Sequence, residues 1–198
     1  MKSQFDSLTT KEKIIQVAMD MIAEEGFQNI TIRKIAAQAG VNVAAVNYHF
    51  GSKDVLINEA LRHVMNQLKN TFEYLKTGNE DEETKLFTFI KNYTDIMFEY
   101  PDIIKNMISR AIHDKPFDGH EEYLAFIQRE GFELIKKTIG QKRPELDDYI
   151  LSLKTLNLIS GLSFPLLMGE HIKPIMGMDL YNEEIRQMYT KLLLENVC

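Results

Sequence analysis

From Gly26 to Lys53 the chain carries no Asp or Glu. With 29 acidic residues among 198, a window of 28 residues would ordinarily hold about four. In that gap stand Thr31, Arg33, Lys34, Asn42, Asn47, Tyr48, His49 and Lys53. Their hydroxyl, amide, imidazole and cationic groups suit phosphate oxygens, and the amides also suit the edges of bases. A carboxylate there would be repelled by a nucleic-acid backbone, so its absence is what a phosphate-facing surface requires. Val43, Ala44 and Ala45 are small and apolar, which lets a helix lie close in a major groove and touch thymine methyls. Thr31 would offer a phosphate its hydroxyl and a helix N-terminal N–H.

Other chemistries fare worse. His113 and His120 flank Asp114 and Asp118, but the spacing matches no recognised metal site, and Pro116 with Gly119 marks a loop. No metal and no cofactor is expected. No glycine-rich phosphate cradle is present, and Ser160 and Ser163 lack a nucleophile elbow, so an enzyme is not expected. The single cysteine, Cys198, excludes a disulfide scaffold and a cysteine-rich zinc fold. It suits a reducing compartment, and a cytoplasmic location is expected. No run of about 18 apolar residues suggests a membrane span. The start, MKSQFDSLTTKEK, lacks the apolar core of a secretion signal. The net charge of -6 is unevenly placed: residues 61–198 hold 17 bases and 22 acids, leaving a near-neutral head before an acidic body.

The elements that must position these groups read as helices only, and an all-α fold of about nine helices is expected. Thr9 and Glu12 form a capping box for a helix over 11–25, whose stripe is Ile14, Ile15, Ala18, Met21 and Ile22. Gly26 is its stop. Thr31 caps a short helix over 32–39, and Asn42 caps another over 43–49. A small residue at Ala36, Gly40 four later and Val46 six after that is helix-turn-helix spacing. Gly40 supplies the positive φ of the sharp turn, and Ile35, Val41 and Phe50 complete a miniature core. A fourth helix over 53–76 buries Val55, Leu56, Ala60, Leu61, Val64 and Leu68. Residues 77–84, TGNEDEET, read as a solvated loop. Further helices are expected at 85–99, 102–113, 121–140, 145–168 and 181–197, with a kink at Pro165.

The stretch TIRKIAAQAGVNVAAVNYHFGSKDVL resembles the DNA-binding head of the TetR family of bacterial transcriptional regulators, and the likeness spans about residues 10–65. AAVNYHFGSKD is the specific part of that signature. Many members carry Tyr where this chain has Asn47; here the aromatic is Tyr48. The resemblance implies that Tyr48, His49 and Lys53 meet backbone phosphates; the Asn47 amide, by its own chemistry, can offer a donor and an acceptor to an adenine edge. It implies a division into a head over 1–52 and a body over 53–198 for effector binding and dimerisation. It also implies a homodimer, a pseudo-palindromic DNA operator as partner, and repression relieved by a small apolar or amphipathic effector. Asn42 alternatively serves only as a cap, and Phe50 mainly as core.

In the body, Phe87, Ile90, Tyr93, Met97 and Ile104 read as candidate lining of an effector cavity, together with Met107, Ile108, Tyr123, Phe126 and Ile127. Ordinary bundle core is the plainer reading of each. The helix over 145–168 is apolar on more than one face, which suggests a partner. Its Leu153, Leu156, Ile159, Ser160, Leu162, Phe164 and Leu167 are expected at a dimer interface with Ile185, Met188, Tyr189 and Leu192 of the last helix. Gly161 and Ser160 would let backbones approach. Two other readings stay open: a DNA-binding protein of this fold without a small-molecule effector, and an all-helical enzyme or carrier.

Overall fold

In the computed structural model, residues 8–26, 29–77, 79–112 and 118–198 are described. Helices account for their regular structure, with no strand among them. They form two compact units, Met1–Met65 with Tyr100–Glu121, and Asn66–Glu99 with Glu122–Cys198. The expected head over 1–52 opens the first unit, which also takes in the start of the fourth helix and a segment from mid-chain.

Helix α1 (Thr10–Glu25) starts where expected. The Thr9 hydroxyl accepts from the Glu12 N–H at 3.3 Å, and the Glu12 carboxylate accepts from the Thr9 N–H at 2.8 Å. The Thr9 hydroxyl, which also donates to the Glu12 carboxylate at 2.7 Å, and then the Thr9 N–H hold the Glu12 carboxyl below its usual range. Helix α2 (Ile32–Gln38) is capped by Thr31, whose hydroxyl accepts from the Lys34 N–H at 3.2 Å. It closes with the Val41 N–H on the Ala36 carbonyl and the Gly40 N–H on the Ala37 carbonyl. Both bonds need a left-handed residue between them, and Gly40 has φ of 67°. Helix α3 (Val43–Phe50) follows at once, capped by Asn42 through the Ala45 N–H at 2.7 Å. Ile14, Ala18 and Ile22 of α1, Ile35 and Ala36 of α2, and Val46 and Phe50 of α3 share one buried core.

Helix α4 covers Lys53–Thr71 and buries Leu56, Ala60, Leu61 and Val64. Val55, expected inside, is half exposed. The expected helix over 53–76 is interrupted at Phe72. There the Thr71 hydroxyl donates to the Leu68 carbonyl and the Phe72 N–H to the Lys69 carbonyl, each three residues back. That tightening ends α4, and the short α5 (Glu73–Thr77) follows. Helix α6 (Glu82–Glu99) begins earlier than expected because Asp81 caps it, accepting from the N–H groups of Glu83 and Thr84 at 3.0 and 3.1 Å. Helix α7 (Pro101–Ile112) belongs to the first unit, where its Ile103, Ile104 and Met107 are buried and it packs on α1.

The helix expected over 121–140 is three pieces: α8 (Asp118–Phe126), a π-helical turn (Ile127–Gly131) and α9 (Phe132–Lys142). Helix α10 (Asp148–Met168) is capped by Asp147 and runs on through the buried Pro165. A 3₁₀ turn at Gly169–His171 and a short α11 (Ile172–Met176), neither foreseen, lead to α12 (Glu183–Val197). Helix α10 is long and apolar enough to cross a membrane by length and composition. That property reflects two apolar faces: Leu158, Leu162 and Leu166 point inward, while Leu153, Leu156, Phe164 and Leu167 are exposed.

Gly161 has a close neighbour within its own chain. A methyl placed there would lie 2.5 Å from Leu193 Cδ2 of α12 in the same chain. Its carbonyl also accepts from the Tyr189 hydroxyl at 2.7 Å. The glycine is what lets α10 and α12 approach within one subunit. Gly161→Ala is therefore expected to cost about 1–3 kcal/mol by overpacking, read as a lower urea midpoint at fixed protein concentration. An unchanged midpoint would show that the contact relaxes freely.

Candidate nucleic-acid interface and ligand cavity

Helix α3 has two faces. Val46 and Phe50 point into the head and are buried. Val43, Ala44, Asn47 and Tyr48 point out, and Tyr48 is 87% exposed. The Tyr48 ring has an edge contact with the His49 ring at 5.2 Å, which orients it without covering it. Ala45 and His49 sit half-buried at the sides of the helix. A large aromatic carrying a hydroxyl, held out on a rigid short helix beside an amide and small apolar residues, can meet a phosphate while its neighbours meet base edges.

The caps divide the remaining candidates. The Asn42 carbonyl oxygen is taken by its own helix, so its amide N–H groups are what it could offer a ligand. Thr31 likewise accepts from its helix, and its hydroxyl proton remains to donate. Arg33 is exposed and has no ion pair among the described residues. Lys34 is different: its ammonium lies 2.6 Å from the Glu25 carboxylate and 3.1 Å from the Asn29 carbonyl. Its charge is already compensated, and it ties α2 to the end of α1. Lys53 is half-buried at the first position of α4. Each cap substitution, Thr31→Ala or Asn42→Ala, is expected to cost about 1 kcal/mol of head stability, measured by chemical unfolding.

The second unit holds a cavity of about 120 Å³. Its walls come from Phe72, Phe89 and Tyr93 on one side, Tyr123, Leu124, Ile127 and Gly131 around the π turn, and Phe132, Ile135, Ile159 and Leu162 opposite. Phe132, at 38% exposure, marks its opening. The Tyr93 and Tyr123 hydroxyls lie 2.7 Å apart. Burial, followed by the neighbouring Tyr93, pushes the Tyr123 phenol well above its ordinary range, and burial raises Tyr93 as well. A larger groove of about 270 Å³ lies over Pro165, Ile172 and Leu180, beside the surface ion pair of Lys173 with Asp179.

Of the expected lining residues, Tyr93, Tyr123 and Ile127 border the cavity. Ile90 and Met97 are packed into the unit without reaching it, Phe87 is half-buried away from it, and Phe126 backs Phe72 with rings 5.2 Å apart. Ile104, Met107 and Ile108 lie on α7 in the other unit. Ile159 and Leu162, expected at a dimer face, instead turn toward the cavity. Phe72, Leu124 and Gly131 were not foreseen as lining. A glycine inside a helical pattern, Gly131, was the available signal. On the outer face of α10 and α12, Leu153, Leu156, Ser160, Phe164, Leu167, Met188 and Leu192 are exposed together, Phe164 at 59% and Met188 at 62%. Ile185 and Tyr189 are half-buried behind them. Among the described residues no three His, Cys, Asp or Glu side chains group as a metal site; His113, Asp114 and Pro116 lie outside those residues.

Residues 14–60 match the family model of bacterial regulatory proteins, tetR family. A Bacillus subtilis (strain 168) protein, "Probable HTH-type transcriptional regulator YttP", is 25% identical across 92% of this chain and 89% of its own length. The HTH-type transcriptional repressor NicS of Pseudomonas putida is 21% identical across 89% of this chain and 85% of its own. Among solved structures, a TetR-family regulator from Marinobacter aquaeolei VT8 superposes with a TM-score of 0.71 at 17% identity, covering 95% of this chain and 90% of that one. The TetR-family regulator PfmR of Thermus thermophilus superposes with a TM-score of 0.63 at 20% identity, covering 92% and 97%. Those superpositions show a shared fold.

Proposed function

We propose that the chain, whose residues 14–60 match the family model of bacterial regulatory proteins, tetR family, is a cytoplasmic homodimeric repressor of that kind, which binds a pseudo-palindromic operator and is released by a small apolar or amphipathic effector. One observation carries the reading: α3 presents an acid-free face on which Tyr48 stands 87% exposed beside Asn47, Ala44 and Val43. An exposed phenolic hydroxyl beside an amide and small apolar side chains has the groups to meet a phosphate and base edges. The named repressor NicS is a relative in line with a repressing role. The exposed apolar face of α10 and α12 supports pairing of two copies, and the cavity in the second unit supports an effector.

Each head would touch only a few phosphates and bases, so a single head binds weakly and two heads on successive major-groove faces bind well. Selection of bound DNA from a random pool tests this. The expected product is a two-fold symmetric motif with half-sites about one helical turn apart, bound with a steep salt dependence. No enrichment at low ionic strength would remove the reading.

The contacts are expected to sort by chemistry. Tyr48→Phe and Lys53→Ala weaken binding to all sequences, and Lys53→Ala lowers the salt slope by about one. Asn47→Ala relaxes the sequence preference, by roughly 1–3 kcal/mol at one base position. Equal behaviour of all three in competition titrations would show that this sorting is wrong.

A further inference from the structure

Resting on the reading of the second unit as the effector-binding part, we propose that its aromatic cavity takes an uncharged single-ring aromatic molecule with one hydroxyl group, a phenol, seated on the Tyr93–Tyr123 hydroxyl pair. Three observations fix that class. The first is size. The cavity is about 120 Å³, and an apolar protein cavity of about 150 Å³ accommodates benzene. The cavity here is smaller than that one, so a single ring is the most it can take and two fused rings are too large.

The second is polarity. Every lining residue other than Tyr93 and Tyr123 is Phe, Leu, Ile or Gly, so two hydroxyls are the only polar side-chain atoms on the wall. They bond each other at 2.7 Å. Two hydroxyls carry two protons and that bond uses one. The second proton has no partner among the described residues, and lone pairs remain. The pair can therefore donate one hydrogen bond and accept one, which is what a ligand hydroxyl needs. No cation lines the wall, so a carboxylate would enter stripped of water and unpaired.

The third is the built shape. The ring centroids of Phe72 and Phe89 are 4.8 Å apart and those of Phe89 and Tyr93 are 5.5 Å apart, which leaves faces and edges for a further ring. The π turn re-aims the segment from Ile127 to Gly131 against them. A methyl on Gly131 would stand 2.9 Å from Ile127 Cδ1 and 3.3 Å from Phe72 Cε1. A side chain there would push on Ile127 and Phe72, two of the lining residues.

Isothermal titration of the full chain without DNA, with phenol, toluene, benzoate and 2-naphthol, tests the class. Phenol is expected to bind at one per chain, at least about tenfold more tightly than benzoate or 2-naphthol. Phenol is also expected to be favoured over toluene by roughly 3- to 10-fold, the worth of one neutral hydrogen bond. In a Tyr93→Phe, Tyr123→Phe double variant that preference falls to about one while toluene binding persists. Ile135→Phe, which fills the cavity, abolishes phenol binding. Benzoate or naphthol binding as well as phenol, no phenol binding at all, or a phenol-over-toluene preference surviving in the double variant overturns the proposal. The wild-type comparison stands even where a variant does not fold. Because binding is read without DNA, its failure leaves operator recognition intact, and a failed operator selection leaves this result intact.

Discussion

Carrying Leu156→Glu and Phe164→Glu together, the protein is expected to be a folded monomer whose operator affinity is lower by at least about 100-fold. Both side chains are more than half exposed in the single chain, so each subunit keeps its own core. They stand on the outer face of α10 with Leu153 and Leu167, next to Met188 and Leu192 of α12. In a two-fold interface each residue appears twice, so the pair of changes places four carboxylates in one contact. Each is a little over half exposed in the single chain, so losing the burial of four such side chains removes about 3–7 kcal/mol, taken from about 1.5–3 kcal/mol for full burial of each. Even the lower figure raises the dimer dissociation constant by about two decades. Sedimentation velocity reads the mass, circular dichroism the helix content, and mobility shift the operator affinity. A variant that stays dimeric would show that this face is not where subunits meet. A monomer with undiminished operator affinity would show that each head acts alone.

The head was legible because its signals are local. Thr9 with Glu12, Thr31 and Asn42 each announce a helix start within three residues, and each makes the expected bond. Gly40 sits where only a positive φ closes the turn, and Val46 points inward as its spacing demands. Lys34 escaped because its partner, Glu25, is nine residues back on another helix. In the body the decisive relations are long-range, and periodicity does not encode them. Phe89 rather than Phe87 borders the cavity, a two-residue difference on a helix apolar on both sides. Gly161 is packed against Leu193, thirty-two residues on, a contact that its place in the sequence does not announce. The π turn at Ile127–Gly131 left no signal except a glycine in an otherwise regular helical pattern. Helix α7 reads as amphipathic in any context, and only the folded chain assigns its apolar face to the first unit.

Ala44→Glu is expected to move stability and function in opposite directions. Ala44 is exposed at the second position of α3, just after the Asn42 cap. A carboxylate in the first turn of a helix meets the positive end of the dipole and stabilises it by about 0.3–1 kcal/mol. The melting temperature therefore stays level or rises. In the proposed complex the same group sits in the longest stretch of chain that carries no acid, facing the groove and its phosphates. It replaces a methyl contact with a charge that must be desolvated against like charge, and operator affinity falls by at least about 100-fold, or about 2.7 kcal/mol. Ala44→Gln separates bulk from charge, since it has the size of glutamate without the repulsion. The gap between the two variants reports electrostatics alone, and it narrows as salt shortens the Debye length from about 10 Å at 0.1 M toward 3 Å at 1 M. Fluorescence anisotropy on the selected operator at several salt concentrations, beside thermal unfolding of the free protein, reads both directions. Wild-type affinity in Ala44→Glu would mean that α3 does not face the duplex. Equal loss in the glutamate and glutamine variants at every salt concentration would mean that fit, and not the exclusion of acids, governs this face.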